Sequence, residues 1–255
     1  MDKLIILAPA AFIIILIIPV PALVLDILMA VNLLFALLLL IIILNTKKTA
    51  KFYLLPTSLL LSTFFGLAVN LLAVRLILTK GADFDGRLIK AVASFAAGFG
   101  ETGIIISLAL FLLLVAIHTI VFVKGCTRVS EVAVRFTLDS MQVKMMAAET
   151  EYSSGSISEE EADALKFEIR KESDFYGALD GVSKFISGNE KIRIFIIAVT
   201  VIGGILIGTL LRGEAISDAI STYVSLSIGS GFLFMPHGFL LAVMEGIVVT
   251  RAAAK

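Results

Sequence analysis

The sequence predicts an all-α polytopic membrane protein, with about six transmembrane helices and a small cytoplasmic α(+β) subdomain between the fourth and fifth. Three observations predict it. Of the 255 residues, 59% are hydrophobic and 16% charged, with a mean hydropathy of +1.04, and a soluble domain so apolar would expose too much of that surface to water. The apolar residues gather in runs close to the roughly 20 needed to cross a bilayer. A single long polar island, Lys124–Lys191, stands between two sets of such runs.

The first run, Leu4–Val20, lacks the small-residue cleavage site of a signal peptide and leads straight into more apolar sequence, so it reads as the first span. Pro19-Val20-Pro21 enforces extended backbone, Asp26 falls near the interface, and Ile27–Leu44 is the second span. Asn45–Lys51 carries three lysines and no acid, which places this loop, and the N-terminus with it, in the cytoplasm. The third span, Phe52–Leu78, contains Asn70 and Arg75. Asn70 is too deep to reach water and is expected to face other helices. Arg75 either snorkels to the nearby interface or faces the bundle.

Thr79–Thr102 has balanced charges, as an outward loop permits, and its small-residue stretch Ala91–Gly98 reads as a short helix on the membrane surface. The fourth span is Gly103–Val123, with His118 near its end. An intramembrane histidine is a proton-relay candidate, but no acid shares its helix face, so a hydrogen-bonded packing role is preferred.

Inside the island, Arg128, Glu131, Arg135 and Asp139 are spaced three, four and four apart, which puts alternating charges on one helical face. Val129, Val132, Ala133 and Phe136 lie on the other and are expected to pack. Ser158 to Glu161 has capping-box spacing, after which Ala162, Leu165 and Ile169 mark one side of a helix. That helix is expected to end near Tyr176-Gly177, where glycine suits a C-terminal cap.

The fifth span, Ile192–Leu211, contains Gly204 and Gly208 at the spacing that admits a close neighbour. Arg212–Asp218 is an outward turn. The sixth span, Tyr223–Thr250, is expected to be interrupted at Gly229-Ser230-Gly231 and at Pro236, and it carries His237 and Glu245 on roughly one face. Arg251 and Lys255 return the C-terminus to the cytoplasm. The resulting division is 1–123 and 192–255 in the membrane, with 124–191 between them.

A formal net charge of zero gives no footprint for nucleic acid. The one cysteine, Cys126, has no partner for an intrachain disulfide. No clustered metal ligands, phosphate loop or nucleophile constellation points to an enzyme or a cofactor.

The wording of several segments is more specific than their pattern. RVSEVAVRFTLDSM and DFYGALDGVSKF in the island, PVPALVLDILMAVNLLFALLLL and LPTSLLLSTFFGLAVNLLAVRLILTKG before it, and SIGSGF followed by GIVVTR after it resemble, in order, segments of the FHIPEP family. These are inner-membrane export-gate proteins of flagellar and virulence type III secretion. The resemblance covers essentially the whole chain. It implies a homo-oligomeric ring in the bacterial inner membrane, working with other membrane proteins of the export apparatus. Such a ring couples ion motive force to the passage of unfolded substrates. It places family charges at Arg128, Arg135, Asp139, Asp180 and Lys184. It also implies that a full member continues with two further helices and a cytoplasmic domain, so the chain is expected to be a fragment, a truncated paralogue or half of a split gene.

The departures from the family pattern are specific. The family's Pro-Gly-Lys-Gln-Met stands here as Gln142–Met146, which removes a turn signal and extends the helix. A common family arginine is Gly66, an acidic position after SKF is Asn189, and the acid of a Gly-Asp-Gly is Ser230. Asn and Ser cannot carry a titrating proton, which leaves either impaired coupling or a rewired site using Glu190, His237 or Glu245. Two other readings stay open: a small proton or ion transporter, and a structural paralogue without transport.

Overall fold

The computed structural model describes residues 20–46, 53–97 and 100–253. The first expected span, up to Pro19, and the lysines of the 47–51 loop lie outside the described residues.

Helix α1, Ala22–Asn45, begins directly after Pro21, whose backbone is extended. Helix α2, Leu55–Lys80, takes Pro56 in its first turn, where a missing N–H costs no helical bond. Helix α3 is Arg87–Ala97. Helix α4, Gly100–Ile117, passes through a π-helical turn, His118–Val123, directly into α5, Lys124–Ser153. Helix α6, Glu159–Leu206, closes with a second π-helical turn, Ile207–Leu211, and α7 is Ile216–Ala253.

Among the described residues, five segments are long and apolar enough to cross a membrane: Ala22–Asn45, Leu55–Asp83, Gly103–Ser153, Glu159–Leu211 and Ile216–Arg251. They match the second to sixth expected spans. The island is two helices joined by a short turn, so the strand component expected there is not found.

The island is therefore a helical hairpin made by two spanning helices that continue past the apolar zone. At about 1.5 Å per residue, α5 alone is roughly 45 Å long. Gly155, at φ +73, makes the turn that only glycine adopts without strain. The expected capping box forms at Ser158, which accepts from the Glu161 amide while the Glu161 side chain accepts from the Ser158 amide.

Three local expectations are overturned. The helix does not end at Gly177, because Phe175, Tyr176, Leu179, Val182 and Ile186 are all buried around it, and that packing outweighs the roughly 1 kcal/mol a mid-helix glycine costs. Nor is α7 interrupted: it runs through Gly229–Gly231 and Pro236. Gly229 instead admits the backbone of α3, since a Cβ there would come 2.5 Å from the Ile89 carbonyl oxygen. Thus α3 packs into the bundle through Ile89 and Ala93 rather than only lying on a surface.

On α5 the face that packs is Thr127, Ser130, Val134, Met141 and Ala148. Val129, Val132 and Phe136 are left exposed, Phe136 at 71%, and only Ala133 of the expected apolar face touches the core. Spacing defines a face but not which of two faces wins, and here the hydroxyl-bearing one does.

One core joins the hairpin to the helix ends beneath it. Val134, Met141, Phe175, Leu179 and Ile186 meet Ile43, Leu55, Leu59, Leu241 and Val248. Three clasps fix the helix ends. Asp26 of α1 accepts the Arg87 and Leu88 amides at 2.9 and 3.2 Å, an N-terminal cap for α3 supplied from another helix. Arg212 donates to the Leu78 carbonyl at 2.9 Å and the Tyr223 hydroxyl at 2.6 Å. Arg251 donates to the Ile43 and Leu44 carbonyls at 3.2 and 3.1 Å. Both arginines satisfy last-turn carbonyls of neighbouring helices. In the loop after α2, the Lys80 ammonium holds the Asp85 carboxyl below its ordinary range.

Candidate functional site: buried polar groups between the spanning helices

Helix α6 enters the apolar zone with Glu190 and Arg193 three residues apart, on its buried side. They form an ion pair, and Glu190 is only 1% exposed. A buried pair is stable only when the remaining donors and acceptors are met. Arg193 meets this by donating through Nη1 to the Phe234 carbonyl of α7 at 3.0 Å, near the backbone that Pro236 disturbs. Both groups lie against Gly238, where a Cβ would fall 3.2 Å from Arg193 Nη1 and still closer to Glu190 Oε1.

His118, in the π-helical turn after α4, points at the same carboxylate. Its Nε2 is 3.5 Å from Glu190 Oε2, within ion-pair range but too long for a closed hydrogen bond. That nitrogen is buried and has no other hydrogen-bond partner. The acid missing from the histidine's own helix face is therefore supplied by another helix.

On α7, His237 Nε2 is 3.1 Å from Ser62 Oγ of α2, and its ring fills the space beside Gly66. A cavity of about 10 Å³ lies on the other side of Arg193, bordered by Asn70, Thr200, Ser227 and Ser230, close to the least volume that admits one water. Asn70 thus faces the bundle, as its depth required. Arg75 is half-buried.

Glu245 belongs to a separate group. It is fully buried and accepts a hydrogen bond from Ser183 of α6, whose Oγ is 3.2 Å from Ser130 Oγ of α5. Its second carboxylate oxygen has no partner. The eight-residue spacing of His237 and Glu245 therefore serves two sites rather than one.

The residues singled out in the island lie elsewhere. Arg128, Arg135, Asp139 and Lys184 are exposed, Asp180 is half-buried, and Asn189 is half-buried beside the buried Glu190. Arg128 pairs with Glu131 at 3.9 Å and Lys184 with Asp180 at 2.6 Å. The structure does not bring this set into the buried cluster. Sequence reading passed over Arg193 altogether, and the available signal was an acid and a base three apart at the mouth of an apolar run.

Comparison with known proteins matches a family model described as FHIPEP family over residues 12–255. The chain is 43% identical over 240 residues to the flagellar biosynthesis protein FlhA of Borreliella burgdorferi, covering 94% of this chain and 34% of that protein. It is 45% identical over 238 residues to the protein of the same name from Treponema pallidum, with 93% and 34% covered. The FlhA of Salmonella typhimurium is 35% identical over 240 residues, again with 93% and 34% covered. The chain thus spans about a third of the length of the relatives it matches. No solved structure matches it.

Proposed function

The chain belongs to the FHIPEP family, and from that premise we propose that it is the membrane region of a flagellar protein-export gate in the bacterial inner membrane. The observation that carries the ion-coupling part of this reading is the set of buried ionisable side chains, Glu190, Arg193, His118 and His237, placed among spanning helices. Such groups are costly in an apolar zone and are retained where ions or substrates pass. The hairpin α5–α6 stands on the cytoplasmic side with both chain ends. Its charges Arg128, Arg135, Asp139, Asp180 and Lys184 face the export machinery and unfolded substrates. The exposed apolar side chains Val129, Val132 and Phe136 offer a surface for packing copies of the chain into a ring.

The test is replacement of the matching membrane region of a flagellar FlhA by this chain, with export read as secreted flagellar subunits. Secretion above the level without the chimera is expected. A chimera that inserts at normal abundance yet secretes nothing would favour the second reading, a structural paralogue without transport, which draws on Gly66, Asn189 and Ser230 standing where the family carries charge.

A further inference from the structure

Resting on that reading, we propose that the exchangeable proton of this bundle is carried by the pair His118–Glu190, with Arg193 as the positioning residue. The structure brings together three side chains from two places in the chain. Arg193 sits on the same helix as Glu190 and binds one side of its carboxylate. His118 comes from the π-helical turn and faces the other side across 3.5 Å. On α7, Gly238 lies against Glu190 Oε1 and Arg193 Nη1, while the neighbouring His237 ring faces α2 at Ser62 and Gly66. From α2, the side chains at this level are neutral: Ser62 against His237, and Asn70 beside Arg193.

The gap between His118 and Glu190 gives the pair two arrangements. Closing it by about 0.6–0.8 Å forms a charge-assisted hydrogen bond, and the unpartnered, buried Nε2 of His118 has a reason to close it. In the closed arrangement a proton leaves Nε2 of an imidazolium and bonds to Oε2 of the carboxylate. An ion pair becomes a neutral imidazole and a carboxylic acid, and no further reactant is needed. Neutralising Glu190 weakens its hold on Arg193, which keeps its own charge and remains bound to the Phe234 carbonyl. Proton transfer is thereby linked to the contact between α6 and α7. His118 is the first residue of the π-helical turn, a rare feature often found at functional positions.

The positions that depart from the family pattern border these residues. Gly66 leaves room for the His237 ring, and Gly238 leaves room for Glu190 and Arg193. Asn189 and Ser230 hold no titratable group, but each adjoins the new set, Asn189 in sequence and Ser230 across the cavity.

The test uses the full chain in phosphatidylethanolamine–phosphatidylglycerol vesicles with a trapped pH dye, and a potassium–valinomycin potential drives proton entry. Wild type is expected to conduct. Glu190→Gln is expected to slow entry at least tenfold and His118→Asn at least threefold. Glu190→Asp should keep much of the rate, and Glu168→Gln, an exposed acid on the hairpin, should keep all of it. Because Glu190→Gln leaves Arg193 without its counter-charge, the neutral double variant Glu190→Gln/Arg193→Gln is measured beside it and should show the same loss. A silent wild type, or a folded double variant that conducts normally, overturns the proposal. Failure of the reading beneath it is seen separately. An export-competent chimera indifferent to Glu190→Gln sinks the relay and leaves the gate, whereas a chimera that never exports removes the gate whatever the vesicles show.

Discussion

The imidazole of His237 occupies the space a side chain at position 66 would need. A Cβ on Gly66 would lie 2.7 Å from Cε1 and 2.9 Å from Nδ1 of that ring, while Nε2 faces Ser62 at 3.1 Å. Gly66→Ala is expected to push the ring off Ser62 and cost about 1–3 kcal/mol, the usual penalty for overpacking. His237→Ala in the same chain should relieve most of it, giving a coupling of roughly 1 kcal/mol or more. Reversible unfolding in mixed micelles measures both. Simple additivity of the two losses would refute the contact.

Breaking the buried pair should be worse than removing it. Arg193→Met leaves Glu190 with only His118 across its 3.5 Å gap, an expected loss of about 3–5 kcal/mol. Glu190→Gln/Arg193→Met removes both charges and should recover much of that stability. The ordering of the two variants, read in the same unfolding assay, is the result to check.

Much of this fold can be read from local sequence, and its limits are physical. The spans follow from runs of apolar residues, and the capping box at Ser158 from a three-residue spacing, because each depends on neighbours in the chain. Gly177 signals a helix end only where nothing outweighs glycine's freedom, and here buried Tyr176 and Leu179 do. The face of α5 that packs was not legible. Ser130 is buried because Ser183 and Glu245 meet it from two other helices. Likewise, no acid shares the helix face of His118, and only the fold supplies Glu190. Tertiary partners, not periodicity, decide such positions.

The two adjacent glycines of α6 give a contrast. A Cβ on Gly204 would collide with the Tyr223 ring, whereas one on Gly203 would meet only Leu78 Cδ2 at 4.0 Å. The close neighbour admitted by Gly204 is thus the Tyr223 ring of α7, joined at Gly208 by the Glu214 carboxylate. Gly204→Ala is expected to destabilise by about 1–3 kcal/mol. Gly203→Ala should be neutral or stabilising by up to about 1 kcal/mol through helix propensity. Equal effects in thermal unfolding would contradict the packing described.

At the tip of the hairpin, Ser158→Ala removes the cap of α6 and should cost about 0.5–2 kcal/mol locally. Amide hydrogen exchange is expected to quicken over residues 159–163 and to stay unchanged near Glu190. Faster exchange along the whole helix would mean that the tip and the bundle unfold as one unit.

The side of the membrane on which the hairpin stands supports every functional statement above. The direct measurement places a cysteine at Lys144 on an otherwise cysteine-free Cys126→Ser chain and adds a membrane-impermeant thiol reagent. Labelling in inverted inner-membrane vesicles, with protection in intact spheroplasts, is the predicted result. Labelling in intact spheroplasts would put the hairpin outside the cell and contradict the export-gate account.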